Sequence, residues 1–301
     1  MNNQRSLLEI QIAVLLFGLA GLFGKWLPLP PTLIVLGRVF FASLTLTLLL
    51  GLTKQRLRIS PRTDYLVFAV MGAILALHWV VFFKSIQVST VAVGLLSYSS
   101  FPVFTAFLEP LIFRESLEKI NIVFAFICIG GVFLIVPRFD LSNVLLQGVL
   151  WGLAAGLSFS VLTIMNRRFS QKYSSLAVAF FQDFFATLVL LPFFIGRRSV
   201  LSARVILLLI ILGVLCTAGS HTLFIQGMKR IKAQTASLIS SLEPVYGIVF
   251  AFLFLREVPS LRTVVGGAVI LGAVIIVSLR AAGGGSSLNR IRKTGPQRGH
   301  D

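Results

Sequence analysis

The chain has 301 residues, 56% of them hydrophobic and 12% charged, with a net charge of +17 and a mean hydropathy of +0.94. A soluble domain carries about 25% charged residues, so the composition excludes a water-soluble globular fold and describes a chain dissolved in lipid. The positive charge does not make a nucleic-acid binder, because the basic residues sit in short clusters between apolar runs, as cytoplasmic loops of membrane proteins do.

A membrane-crossing helix needs about 20 mostly apolar residues. Ten such runs follow one another, at about 9–27, 32–51, 64–84, 90–113, 120–137, 144–165, 176–195, 205–227, 233–255 and 262–279. The first follows MNNQRSLLE, is longer than a signal-peptide core and lacks a small-x-small cleavage site, so it is expected to be retained. Connections are short and leave no room for a soluble domain. Residues 281–301, Gly/Ser-rich and basic, are expected to form a disordered cytoplasmic tail. Two cysteines, Cys128 and Cys216, lie inside apolar runs, so no disulfide framework or metal spacing is present. Lys and Arg concentrate in the second loop (Lys54, Arg56, Arg58, Arg62), the sixth (Arg167, Arg168, Lys172), the eighth (Lys229, Arg230, Lys232) and the tail. That bias places both termini in the cytoplasm, against the pull of Arg197, Arg198 and Arg204 in the seventh loop.

The stretch Leu77 to Glu115 has an echo at Gly219 to Glu257. A shift of 142 residues places Pro102 on Pro244, Val103 on Val245, Arg114-Glu115 on Arg256-Glu257 and Gly130 on Gly272. We read an internal duplication, with a first five-helix repeat over 1–140 and a second over 141–280. Five spans return the chain on the opposite side, so the second repeat is inverted relative to the first. The expected fold is therefore an all-α polytopic membrane protein of ten transmembrane helices in two inverted five-helix repeats, a transporter architecture. Phe17-Gly18 and Trp151-Gly152 open the two halves, and the pairs Gly130-Gly131 and Gly266-Gly267 suit close helix packing, with a dimer contact left open.

Together these features resemble the EamA family of drug/metabolite transporters. The resemblance rests on the five-plus-five repeat, the aromatic-Gly openings, Arg38 in the second span, the segment from His78 to Ala92 (HW…FF…VSTVA), Ser241-Leu-Glu-Pro244, and the Pro…Arg-Glu ends of the fourth and ninth spans. It implies a secondary transporter in a bacterial inner membrane that exports or exchanges small metabolites, amino acids or relatives of them. Many members have Gly where this chain has Arg114 and Arg256.

Ionisable residues inside spans cost a few kcal/mol each and are functional candidates by default. Glu9, Lys25, Lys84, Arg114, Glu115, Arg256 and Glu257 lie near span ends and read as snorkelling or capping groups. Arg38, Asp183, Glu243 and, less centrally, Glu109 lie deeper. Arg38 and Asp183 occupy equivalent spans, so a buried ion pair and separate solvation both stay open. His78 and His221 flank Trp79 and Ser220 at equivalent positions of the two copies. His78 and Phe82 share one helical face, Tyr98, Phe101, Thr105 and Glu109 a second, and Ala236, Ser240, Glu243 and Gly247 a small polar third. The expected translocation residues are Arg38, His78, Trp79, Phe82, Tyr98, Asp183, His221, Ser240 and Glu243. No cofactor or metal is implied. Expected partners are a small-molecule substrate and membrane lipid, with proton coupling and a homodimer left open. Against an intramembrane enzyme stands the absence of HExxH, a nucleophile elbow or clustered carboxylates; a non-transporting scaffold would need an attached domain that is not seen.

Overall fold

A computed structural model describes residues 3–54, 59–113, 119–136, 140–195, 202–228 and 239–293. Among these there are helices and no strand. Seven helices are long and apolar enough to cross a membrane; three shorter apolar helices, Ile122–Ile135, Glu243–Leu255 and Leu261–Ile276, overlap the other three apolar runs. Leucines, valines and phenylalanines such as Phe40, Leu48, Leu66, Phe126, Phe133 and Phe252 point outward. So much exposed apolar surface belongs to a protein whose solvent is lipid.

The first half comprises α1 (Asn3–Ala20), α2 (Phe23–Trp26), α3 (Pro31–Leu52), α4 (Thr63–Val88), α5 (Val91–Tyr98), α6 (Phe101–Phe113) and α7 (Lys119–Ile135). The second comprises α8 (Val144–Ser170), α9 (Ser175–Leu190), α10 (Ala203–Gly213), α11 (Ser220–Met228), α12 (Glu243–Leu255) and α13 (Leu261–Lys293). Caps set the starts. The side chains of Thr90, Asn143, Ser174 and Ser202 accept from Val93, Leu145, Ala177 and Val205 N–H, and Pro31 opens α3 where its missing donor is harmless. Helix α13 is continuous to Lys293, across much of the stretch expected to be unstructured; residues 294–301, like Arg114, Glu115 and Ala236, lie outside the described residues.

Several expected continuous spans are interrupted, the first of them at Gly21–Leu22 between α1 and α2. The fourth divides at Ser99–Ser100, just before Pro102, whose ring cannot continue an interior helical hydrogen bond. Ser99 Oγ donates to Leu95 O and Ser100 Oγ to Ser97 O, both at 2.7 Å, and so serve carbonyls near the break. The eighth passes through a π-helical segment, Val214–Gly219, between α10 and α11. In the ninth, a turn at Ser241–Leu242 precedes α12, and Pro244 falls in its first turn.

Helix contacts repeat with the two halves exchanged. Helix α1 packs on α11 and α12, as α8 packs on α4 and on α5–α6; α4 packs on α9, as α10 packs on α3. The α3–α9 and α7–α13 contacts pair a helix with its own counterpart. Glycines set the close approaches. A Cβ on Gly72 would lie 2.5 Å from Phe185 Cβ and 2.9 Å from Gln182 O, and one on Gly213 would lie 2.6 Å from Phe41 Cβ and 2.8 Å from Arg38 O. These matched contacts align Arg38-Val39-Phe40-Phe41-Ala42-Ser43 with Gln182-Asp183-Phe184-Phe185-Ala186-Thr187. Ser43 Oγ and Thr187 Oγ1, equivalent in that register, face each other at 3.5 Å. The pseudo-two-fold axis therefore passes between α3 and α9. Gly131 and Gly266 hold α7 against α13 within the chain.

Polar ties bind both ends of α4, which at 26 residues is about 39 Å long. At its start, Asp64 accepts from Lys172 Nζ at 2.6 Å and from Tyr173 OH at 2.5 Å, beside the rings of Phe68, Phe169 and Phe181. At its end, Gln87 donates to Leu29 O, Lys25 to Ser89 O, and Glu257 accepts from Val91 and Ala92 N–H at 3.2 Å each. Glu257 is thus a helix cap, as its terminal position suggested.

Two outcomes follow. Gly72→Ala pushes a methyl onto the backbone of α9 and is expected to cost about 1–3 kcal/mol, read as a lower melting temperature in detergent, while Gly130→Ala, where a Cβ meets nothing within 4 Å, leaves it unchanged. Arg256 closes α12 with φ 56°, the left-handed conformation that glycine adopts without a Cβ clash. Arg256→Gly is therefore expected to gain about 1 kcal/mol, and the same melting experiment checks it.

Candidate functional site

Arg38 projects from α3 into the centre of the bundle and is 1% exposed. Its Nε donates to Thr217 Oγ1 at 3.0 Å and its Nη2 to Cys216 O at 3.3 Å. Both acceptors belong to the π-helical segment, whose wider turn leaves a carbonyl free for an outside donor. Thr217 Oγ1 in turn donates to Leu212 O at 2.8 Å. The guanidinium carbon lies 3.7 Å from the centroid of the Trp79 ring, a cation–π contact worth about 2 kcal/mol when desolvated.

An aromatic wall continues from Trp79. The His78 ring lies 5.1 Å from Phe159, 5.6 Å from Tyr98 and 6.2 Å from Phe82, and His221 meets Trp79 edge-on at 6.1 Å. His78 Nδ1 is 2.9 Å from Ala155 O. A carbonyl only accepts, so Nδ1 carries the hydrogen and Nε2 is the free acceptor. Glu243 opens α12, 5% exposed, and its carboxylate meets the Tyr98 hydroxyl.

Seven of the nine expected residues, Arg38, His78, Trp79, Phe82, Tyr98, His221 and Glu243, line one central cavity of about 30 Å³, together with Phe17, Ala20, Leu75 and Phe159. It has room for a water molecule or two. Both halves supply walls, α1, α3, α4 and α5 from the first and α8, α11 and α12 from the second.

Asp183 and Ser240 are buried away from that lining. Among the described residues Arg38 forms no contact ion pair: the three salt bridges are Arg5–Glu9, Arg167–Glu109 and Lys172–Asp64. The charge of Arg38 nevertheless acts on both Asp183 and Glu243. Of the pairing and solvation alternatives for Arg38 and Asp183, direct pairing is absent from this conformation. Glu109 is partly exposed at the end of the bundle, where Arg167 holds it.

Sequence reasoning passed over Thr217, Cys216 and Phe159. A π-helical insertion has no composition signature, and Phe159 is one of 27 phenylalanines. Phe17 was visible as the aromatic of the first aromatic-Gly pair. The Phe-Phe-Ala-Ser and Phe-Phe-Ala-Thr runs beginning at Phe40 and Phe184 were a readable sign of the symmetry axis.

The fold and cavity define a polytopic helical membrane protein built of two like halves around a polar centre. The profile of the EamA-like transporter family matches residues 5–136 and again 146–279; the chain belongs to that family and carries its unit twice. It is similar to the uncharacterized transporter YxxF of Bacillus subtilis, at 24% identity over 92% of this chain and 91% of that one. It is similar also to the uncharacterized inner membrane transporter YicL of Salmonella typhimurium, at 24% identity over 92% and 96%. An uncharacterized transporter of Archaeoglobus fulgidus is 28% identical over 65% of this chain and 70% of its own length. A crystal structure superposes over 93% of this chain and 99% of its own with a TM-score of 0.65 at 20% identity, a likeness of fold. The protein is thus a multi-pass membrane protein of a transporter family.

Proposed function

We propose that the protein is a secondary transporter that exports a small metabolite, an amino acid or related compound, from the cytoplasm across the inner membrane. The observation that carries the reading is the single cavity where Arg38, Glu243 and an aromatic wall meet from both halves. A cation and a carboxylate suit the two charged ends of a zwitterion, and His78, Phe82, Tyr98 and Phe159 suit its apolar part. If the three shorter apolar helices also cross the membrane, each half has five spans, and an odd number per half inverts the second. Exchange of conformations between inverted halves is alternating access: the central cavity opens first to one side, then to the other. The ties at the two ends of α4 are the contacts such an exchange would break in turn. Because the cavity holds little more than water, the arrangement suits an occluded stage of that cycle.

Proteoliposomes loaded with an amino-acid panel, with and without a pH gradient, test the reading. Glu243→Gln keeps size and most hydrogen bonding while removing the charge. It is expected to slow transport about tenfold, about 1.4 kcal/mol in the barrier, and to flatten its pH dependence; a wild-type rate with an unchanged pH profile would remove Glu243 from the pathway. For orientation, a fluorescent protein fused at the C-terminus is expected to light up and a phosphatase fused after Arg280 to stay inactive. An active phosphatase there would reverse the proposed orientation.

A further inference from the structure

One guanidinium and two carboxylates are buried at the centre of the bundle, so their charges balance only if one acid keeps its proton. The two acids differ in surroundings. Glu243 lines the cavity and meets the Tyr98 hydroxyl, a donor that stabilises an ionised carboxylate. Asp183 is 0% exposed, lies off the cavity lining, and neither of its oxygens has a hydrogen-bond partner among the described residues. A bare buried carboxylate is far costlier than a neutral acid in the same place.

We propose that Asp183 is the group that carries an exchangeable proton, neutral while the Arg38 guanidinium lies on Trp79 and ionised when that guanidinium turns toward α9. The symmetry of the fold removes a packing explanation for the acid. In the register set by Gly72 and Gly213, the counterpart of Asp183 is Val39, itself fully buried, so the first half fills the same place with an apolar side chain. Arg38 is held by the Thr217 hydroxyl and the Cys216 carbonyl, so a turn toward α9 exchanges two dipolar hydrogen bonds and the Trp79 face for a carboxylate and breaks no ion pair.

The other groups around α9 are accounted for. Helix α4 brings His78 at depth, with Asp64 and Tyr65 at its first turn. Helix α8 brings Asn166, bonded to Gln182, and Arg167 and Arg168 at its last turn. Cys216 comes from the π-helical segment joining α10 and α11, and His221 from the start of α11. Arg38, from α3, is the group whose charge acts on Asp183. On ionisation the Asp183 O–H bond breaks, its electron pair stays on the carboxylate, and the proton leaves to water on the cavity side of Arg38. Glu243 then takes up a proton or binds the cationic end of a substrate, which couples the protonation of Asp183 to the state of the cavity. That consequence rests on the transporter reading; the protonation itself does not.

The test uses the protein reconstituted in lipid with no substrate, so a failed transport assay leaves its result intact. Infrared difference spectra between acid and alkaline buffer are expected to show a protonated-carboxyl band that shifts on carbon-13 labelling of aspartate. Of the chain's four aspartates, Asp64, Asp140, Asp183 and Asp301, Asp183 is the fully buried one among the described residues. The band is expected to disappear in Asp183→Asn and to persist in Glu243→Gln. In a chain with Trp26→Phe and Trp151→Phe, the emission of Trp79 is expected to titrate with the same midpoint and to lose that titration in Asp183→Asn. No carboxyl band, a band indifferent to aspartate labelling, or Trp79 emission that titrates unchanged without Asp183 overturns the proposal. The labelling experiment needs no substitution, so a poorly folded Asp183→Asn does not blunt it.

Discussion

A guanidinium buried in the middle of a lipid-dissolved bundle is the constraint to which the rest of the centre answers. Left bare, Arg38 would cost the fold several kcal/mol. The protein meets that demand with three different devices: a widened helical turn that presents the Cys216 carbonyl, a hydroxyl from Thr217, and the face of Trp79. None is an opposite charge in contact. The carboxylates stand one step back, so the guanidinium is solvated by dipoles and a ring rather than locked in an ion pair. A group held in that way keeps donors to spare for something else in the cavity.

The internal symmetry explains how this arrangement is placed and why it is not duplicated. The Phe-Phe-Ala runs of α3 and α9 bring like residues together across the axis, and Gly72 and Gly213 let the flanking helices approach to backbone distance. Backbone packing obeys the exchange of halves, while polar chemistry departs from it. Arg38 faces the cavity, but its counterpart Gln182 donates to Asn166. Packing tolerates the difference because both side chains are long and buried, and the divergence confines the central positive charge to one half.

The start of α4 and that of its counterpart α10 diverge in the same manner. Asp64, Lys172 and Tyr173 tie the start of α4 to the loop after α8, over stacked aromatic rings. The equivalent place in the other half holds Leu29 and Ile206, which border an apolar groove of about 330 Å³. Counterpart helices thus start at a polar tie in one half and beside an apolar recess in the other.

The sequence by itself determined the solvent of this protein, the apolar helices and their order, the duplication, and most of the cavity. Arg38, His78, Trp79, Phe82, Tyr98, His221 and Glu243 were legible because a polar or aromatic group repeated at helical spacing inside an apolar run is costly unless it faces a shared interior. The Arg256 departure from glycine was legible too, but its meaning was not until the backbone placed it at a positive φ. Tertiary structure alone decided that Asp183 stands behind the cavity wall, that no ion pair forms with Arg38, and that Thr217 and Cys216 receive the guanidinium. The physical reason is that depth along a helix is written in the sequence. The direction a side chain takes at that depth depends on the rotation of each helix about its axis, which glycine contacts between distant segments set.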